Sequence, residues 1–309
     1  MTHIPVLTRE VVEHLVWTPD GTYIDGTVGT GGHSLAVAER LSEKGRLICL
    51  DRDPDAVAYS KERLSRLGDR TVVVNANYAD IDKVLWDLGY KEVSGVLLDL
   101  GMSSYQLERS CRGFSFLRDE PLDMRMDRVG RMTARHLINT LSLKDLSDIF
   151  KRYGEEKKAR IIAKAIIKAR KRAPIETSLE LGSIVKSAVP PDYRSRAVHP
   201  ATRVFQALRI AVNRELENLE VFLGKIPPLV GSGGRLVILS YHSLEDRLVK
   251  EAMSDWEKPC TCPPDLPRCV CGRVPVFKKI LKKGLIPGPE EVLRNPRARS
   301  ARLRAAERV

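Results

Sequence analysis

No apolar run in this sequence is long enough to cross a bilayer, so neither a transmembrane chain nor a membrane partner is expected. The first residues, Met1-Thr2-His3-Ile4-Pro5, lack the basic and apolar regions of a secretory signal, and the expected location is cytoplasmic. Negative charge is in deficit: 52 Lys and Arg face 40 Asp and Glu, leaving a formal charge of +12 and a pI near 9.5. That balance points to a polyanionic partner, nucleic acid or an anionic membrane surface, and the clustering of the basic residues favours nucleic acid. Internal repeats are absent. What is present, 309 residues with 43% apolar content, suffices for a full α/β core and a second, smaller domain.

The first hundred residues alternate between strand and helix patterns, which predicts a parallel sheet. Strands are expected at Thr22–Asp25, Arg46–Asp51, Thr71–Asn75 and Ser94–Asp99, and helices at His33–Lys44, from Pro54, and at Ala79–Leu88. Asp53-Pro54 supplies a cap followed by a proline at the first helical position. Residues 101–130 then read as loop, and the signals from Ser142 to Pro190 are helical only. Within that block, Thr177-x-x-Glu180 has the form of a capping box. A long helix is expected from Ala201 to Leu223, a fifth strand at Gly234–Ser240, a helix at Ser243–Met253 and a short strand at Val276–Leu281. The fold class is therefore α/β, a Rossmann-like sheet with an inserted helical domain. Residues 1–104 and 201–309 form the sheet domain, and 105–200 a mainly helical substrate-recognition domain.

Asp25-Gly26-Thr27-Val28-Gly29-Thr30-Gly31-Gly32-His33-Ser34 joins a strand to a helix, and its glycines permit a tight turn and close approach to a ligand. Asp51 ends the next strand, where an acid can accept hydrogen bonds from ribose hydroxyls. Loop and acid together specify a nucleoside-bearing cofactor. The third glycine of a dinucleotide fingerprint is missing, since Ser34 stands in its place, and Asp25 would repel a pyrophosphate while suiting the amino group of a methionine moiety. S-adenosylmethionine meets these conditions better than a nicotinamide dinucleotide, though the turn alone leaves both open.

Asp99 ends the fourth strand in Leu98-Asp99-Leu100-Gly101-Met102-Ser103-Ser104. Ligands of open α/β sheets bind outside the carboxyl ends of the strands, so Asp25, Asp51 and Asp99 are candidates to line one crevice. No strand-end histidine or further acid completes a magnesium site among them. In a methyltransferase, Asp99 would accept the N–H bonds of an exocyclic base amine. Its lone pair, otherwise delocalised into the ring, would then be directed toward the sulfonium methyl for an in-line displacement. The alternative is that Asp99 only binds cofactor or caps a turn.

Two further features are basic. Lys157–Arg172 forms an amphipathic pattern with Ile161, Ile162, Ala165, Ile166 and Ala169 as its apolar stripe. The tail carries Arg297, Arg299, Arg302, Arg304 and Arg308, a density that suggests contact with RNA or return across an acidic crevice. Cys260, Cys262, Cys269 and Cys271 fall within twelve residues as C-x-C-x6-C-x-C, interspersed with prolines. Four thiolates so placed suit a structural zinc knuckle, with reduced thiols as the alternative; a cytosolic chain argues against disulfides.

The motifs Asp25–Ser34, Asp51-Arg-Asp-Pro54, Leu98–Ser104, Arg112–Phe116, Pro121–Asp127, His199–Ile210, Ser240–Arg247 and Asn295–Arg308 resemble those of the ribosomal RNA small subunit methyltransferase H family along nearly the whole chain. The resemblance implies a class I methyltransferase that uses S-adenosylmethionine to methylate the exocyclic N(4) amine of a cytosine at the decoding centre of 16S ribosomal RNA, within the small ribosomal subunit. It implies cofactor contacts at Gly31, Gly32, His33, Asp51, Tyr78, Asp99 and Gln106, with Asp99 also catalytic. Leu100-Gly101-Met102 stands where amino-methyltransferases have Pro-Pro-aromatic, so the aromatic that stacks on the base must come from elsewhere. Tyr105, Phe114, Phe116, Tyr241 and His242 are the candidates. A non-catalytic RNA-binding assembly factor and a nicotinamide-dependent oxidoreductase are the competing readings.

Overall fold

The computed structural model describes residues 5–108, 110–194, 199–263 and 270–309. The chain divides into two compact units, Met1–Gly101 with Glu217–Val309, and Met102–Leu216.

The first unit is built on seven strands: β1 Thr22–Asp25, β2 Arg46–Asp51, β3 Thr71–Asn75, β4 Val93–Asp99, β5 Val230–Ser240, β6 Phe277–Lys279 and β7 Arg302–Arg308. Their order is β3-β2-β1-β4-β5-β7-β6. The first five are parallel, and β7 runs antiparallel to both β5 and β6. The central strands are apolar at nearly every position because both faces of the sheet are covered. Ile24, Ile48, Leu50, Val96, Leu98, Leu236 and Ile238 face one side with Leu219, Phe222 and Val249 from helices. Tyr23, Leu47, Cys49, Leu97, Val237 and Leu239 alternate to the other side, against Val11 and Leu15 of the helix Thr8–Leu15 and Val37 of the helix Gly32–Ala38. The expected strands and the Asp53–Pro54 cap are found, the Asp53 carboxylate accepting from the Asp55 N–H at 3.1 Å.

Two expected helices are corrected. The helix after the glycine turn ends at Ala38 rather than Lys44. The continuous helix from Ala201 to Leu223 is broken at Arg214, which adopts φ 51° and separates the helices Ala201–Asn213 and Glu215–Lys225. The arginine-rich end, expected to meet RNA or to return across an acidic crevice, is in part a strand of the sheet. Arg302–Arg308 is a sheet strand, with Leu303, Ala305 and Ala306 fully buried and Arg304 paired to Asp246.

The second unit is helical. Its helices Leu143–Gly154, Ala159–Arg170, Ser178–Ala188 and Ala201–Asn213 pack through Phe150, Ile162, Ile166, Leu181, Val204 and Leu208. The helix Ala201–Asn213 belongs to this unit, because its apolar face is covered by the helix Leu143–Gly154. The boundary expected at residue 201 thus moves to Glu217. In the helix Ala159–Arg170, Ile161 is exposed rather than part of the buried stripe, which is carried by Ile162, Ala163 and Ile166. The segment after Gly101 lacks strands but is ordered by polar anchors. Arg112 donates to the carbonyls of Arg125 and Met126, each at 3.1 Å. Asn213 binds Met126 N–H and Met124 O, both at 2.8 Å. Phe116 stacks on His199 with ring centroids 4.6 Å apart.

Gly154 sets how closely two of these helices approach, since a Cβ there would lie 2.5 Å from the Arg203 carbonyl oxygen. Gly154→Ala is expected to cost about 1–3 kcal/mol, because backbone cannot yield as a side chain does. Urea denaturation measures this, and an unchanged midpoint would refute the close-packing account.

Candidate active site

The carboxyl ends of β1, β2 and β4, neighbours in the sheet, bring Asp25, Asp51 and Asp99 to one edge of the first unit. Asp25 is turned inward. It is 2% exposed, and its carboxylate accepts the Ser34 hydroxyl at 2.6 Å and the Thr27 N–H at 3.1 Å. Burial raises its pKa in spite of those bonds. Asp25 therefore organises the turn from within, and the expected contact with a methionine amino group gives way to that role. Gly29 and Gly31 take φ 50° and 76°, the left-handed region that glycine enters without strain. Arg63 holds the outer side of the turn through the Thr30 carbonyl at 2.7 Å.

Asp51 ties the turn to β2. One carboxylate oxygen accepts the Gly29 N–H and the other the Asp53 N–H, both at 2.9 Å. Burial pushes its pKa up to about 6, against the lowering effect of those two N–H bonds. Each oxygen keeps a lone pair for a further donor.

Asp99 is the most engaged of the three acids. Its N–H donates to the Thr27 hydroxyl at 2.7 Å, fixing the strand end against the turn. Oδ1 accepts the Tyr241 hydroxyl at 2.7 Å. Oδ2 lies 3.4 Å from His33 Nε2, and the carboxylate retains 20% exposure. This contact is electrostatic and not an aligned hydrogen bond, for both His33 ring nitrogens are buried without a hydrogen-bond partner. Burial alone would lower the His33 pKa, but the neighbouring Asp99, with Asp25 and Glu291 further off, raises it overall. Burial first, and then the Asp99 charge, hold the Tyr241 pKa well above its ordinary range, so its hydroxyl stays a donor.

Gly31, Gly32, His33, Asp51 and Asp99 thus share one edge. Tyr78 follows β3 in the turn Tyr78–Asp80, and its Cβ lies 3.3 Å from where a Gly26 Cβ would stand. Its ring packs edge-on against Phe222 at 5.7 Å. Gln106 belongs to the helical unit, where its side chain accepts the Ser103 N–H at 3.1 Å and its own N–H donates to the Ser103 hydroxyl. Of the aromatic candidates, Tyr241 is an Asp99 partner, and His242 caps the helix Ser243–Glu257 by accepting the Glu245 N–H. Sequence reasoning missed the roles of Thr27 and Ser34 inside the turn, and that of Glu291, which accepts the Leu7 N–H at 2.7 Å. The turn's own hydroxyls were a legible signal for the first two; nothing local marks Glu291.

The edge fits S-adenosylmethionine. Two glycines clear the backbone, Asp51 has acceptor capacity for ribose hydroxyls, and the partly exposed Asp99 carboxylate favours a sulfonium cation and opposes a pyrophosphate. The strand order, with an antiparallel β7 between β5 and β6, and the glycine turn and acids at the strand ends are those of a class I methyltransferase. The chain belongs to the MraW methylase family, whose model matches residues 1–309. It is 47% identical over 307 residues to the ribosomal RNA small subunit methyltransferase H of Lachnospira eligens, covering 99% of this chain and 98% of that one. To the protein of the same name from Geobacter sulfurreducens it is 49% identical over 308 residues, covering 100% and 99%. Family membership closes the nicotinamide reading that the turn alone left open.

The raised Asp51 pKa has a pH consequence. A carboxyl that holds its proton more tightly folded than unfolded contributes stability that is full below pH ~4 and lost as pH rises through about 6. Ligand hydroxyls that donate to Asp51 favour its ionised form. Affinity for S-adenosylhomocysteine is accordingly expected to rise about tenfold from pH 5 to 7 and then level off. Calorimetry across pH 5–8 tests this, and a flat profile would remove Asp51 from ligand contact.

Proposed function

We propose that this chain methylates the exocyclic N(4) amine of a cytosine at the decoding centre of 16S ribosomal RNA, with the small ribosomal subunit as its substrate particle. The names of the relatives support ribosomal RNA of the small subunit as the target. The choice of base and atom rests on the motif resemblance and on the chemistry that Asp99 offers. The single observation that carries the reading is the Asp99 carboxylate, held on one oxygen by Tyr241 and partly exposed on the crevice edge.

Bound S-adenosylmethionine would supply a methyl group on a positively charged sulfur. Gly31, Gly32, His33, Asp51, Tyr78, Asp99 and Gln106 are the residues proposed to hold it. Asp99 accepts an N–H of the incoming amine, which keeps the nitrogen lone pair out of ring conjugation and aims it along the line of displacement. Nitrogen gains the methyl carbon as the carbon–sulfur bond breaks, and the surplus proton on nitrogen passes to water. The helical unit is proposed to bind RNA. Its exposed Lys157, Arg160, Lys164, Lys168, Lys171 and Arg172 lie on and beside one helix and can track phosphates. Arg170 is excluded from that set because it donates to the Ile138 and Leu141 carbonyls at 2.6 and 2.7 Å.

The test is transfer of a labelled methyl group to small-subunit particles, followed by mass mapping of the modified nucleotide. One cytosine carrying an N(4)-methyl is the expected result. Labelling at another base or atom would overturn the assignment, and RNA binding without transfer would favour an assembly factor.

A further inference from the structure

The stretch between the helix Ser243–Glu257 and β6 takes no part in the site described above. Its ends are pinned together: the Val276 N–H donates to the Trp256 carbonyl at 2.8 Å, and the Trp256 and Phe277 rings pack at 5.0 Å. Its described residues carry neither helix nor strand, and they bury little, with Val270 79% and Val274 72% exposed. A connection of this length without a core of its own needs another source of order.

Such a source is visible in the cysteines. The sulfur atoms of Cys260, Cys262 and Cys271 all lie within 4.8 Å of one another, although Cys271 is nine residues beyond Cys262. The Val270 N–H donates to Cys262 Sγ at 3.4 Å, holding the two arms of the loop together. Gly272, at φ 63°, turns the chain directly after Cys271. Around a tetrahedral zinc with Zn–S bonds of about 2.3 Å, ligand sulfurs stand about 3.8 Å apart, a separation inside the bound these three sulfurs satisfy. A disulfide would bring two sulfurs to about 2.0 Å and leave the third without a role.

We propose that Cys260, Cys262 and Cys271 form the thiolate face of a structural zinc site that closes this connection on itself and orders it. Cys269, the fourth thiol of the motif, lies outside the described residues, and the three sulfurs alone define the site. Zinc suits it because the ion has no redox chemistry and takes soft thiolate ligands in a closed set, whereas magnesium and calcium demand oxygen.

The full chain, purified reduced and without chelator, is expected to carry about one zinc per molecule by elemental mass spectrometry. Cys260→Ser, Cys262→Ser and Cys271→Ser should each lower that content severalfold, and Cys111→Ser should leave it unchanged. Should a serine variant fail to fold, cobalt added to chelator-stripped wild-type protein gives an independent reading. Intense thiolate-to-cobalt absorption, displaced by zinc, supports the site. Wild-type protein that neither carries zinc nor binds added zinc or cobalt overturns it. So does a disulfide among these cysteines in freshly isolated protein, or a zinc content that survives replacement of all three.

Discussion

Asp99→Asn is expected to slow methyl transfer by about 10²–10³-fold while weakening cofactor binding by less than about tenfold. The substitution preserves volume and leaves one side-chain oxygen, so the Tyr241 hydroxyl can keep its acceptor. The other atom becomes an NH₂ group where a carboxylate oxygen now stands beside His33. An amide N–H cannot accept from the incoming amine, so the nitrogen lone pair stays delocalised and the negative charge that steadies the developing cation is gone. Asp99→Ala removes the Tyr241 bond as well and should be at least as slow. Single-turnover transfer to small-subunit particles, paired with calorimetric affinity for S-adenosylhomocysteine, separates the two effects. Full activity of the Asn variant would refute the proposed role, and an equal loss in affinity and rate would reduce Asp99 to a cofactor contact.

The sheet was legible because its signals are local. Continuous apolar runs that end in an acid, followed by glycine or a capping Asp-Pro, mark the carboxyl ends of β1, β2 and β4 directly. The inward turn of Asp25 was not legible. Whether an acid at a strand end faces ligand or its own loop depends on which donors lie within reach, here Ser34 nine residues on. Tyr241 was singled out only as an aromatic. Its bond to Asp99 spans 142 positions and depends on the pairing of β4 with β5, a register that no local pattern carries. The break at Arg214 was invisible for a different reason. Arginine has good helix propensity, and nothing local announces that Arg214 takes the left-handed conformation that ends the helix Ala201–Asn213. The strand nature of the tail was hidden by its composition. Arg-Leu-Arg-Ala-Ala-Glu-Arg reads as helix or disorder by propensity, and β7 forms because β5 offers it an edge with apolar cover on both faces.

That last strand yields the largest expected effect on stability. Arg304 is 7% exposed and meets Asp246 in a two-pronged pair, Nε to Oδ1 at 2.7 Å and Nη2 to Oδ2 at 3.0 Å. Among the described residues Arg302 also approaches that carboxylate, at 3.6 Å and with a side chain 46% exposed. Arg304→Met keeps much of the aliphatic stem and its packing but strips Asp246 of its two-pronged partner, leaving a partly buried carboxylate. A loss of about 2–4 kcal/mol is expected, below the fully buried extreme because Arg302 can move closer. For a domain of this size that corresponds to a fall in Tm of roughly 5–10 °C. Adding Asp246→Leu should recover much of the loss, since the cost lies in the stranded charge and not in the missing attraction. Arg299→Ala, on an exposed turn, should leave Tm unchanged within the range of ordinary surface substitutions, and any effect it has should appear as a shallower salt dependence of RNA binding. Thermal denaturation of the single and double variants decides between these roles. If Arg304→Met melts with wild-type protein, the arginine serves RNA and not the sheet. If it melts early and the double variant recovers, two arginines five positions apart in one motif do different work, one anchoring a strand and the other free to meet phosphate.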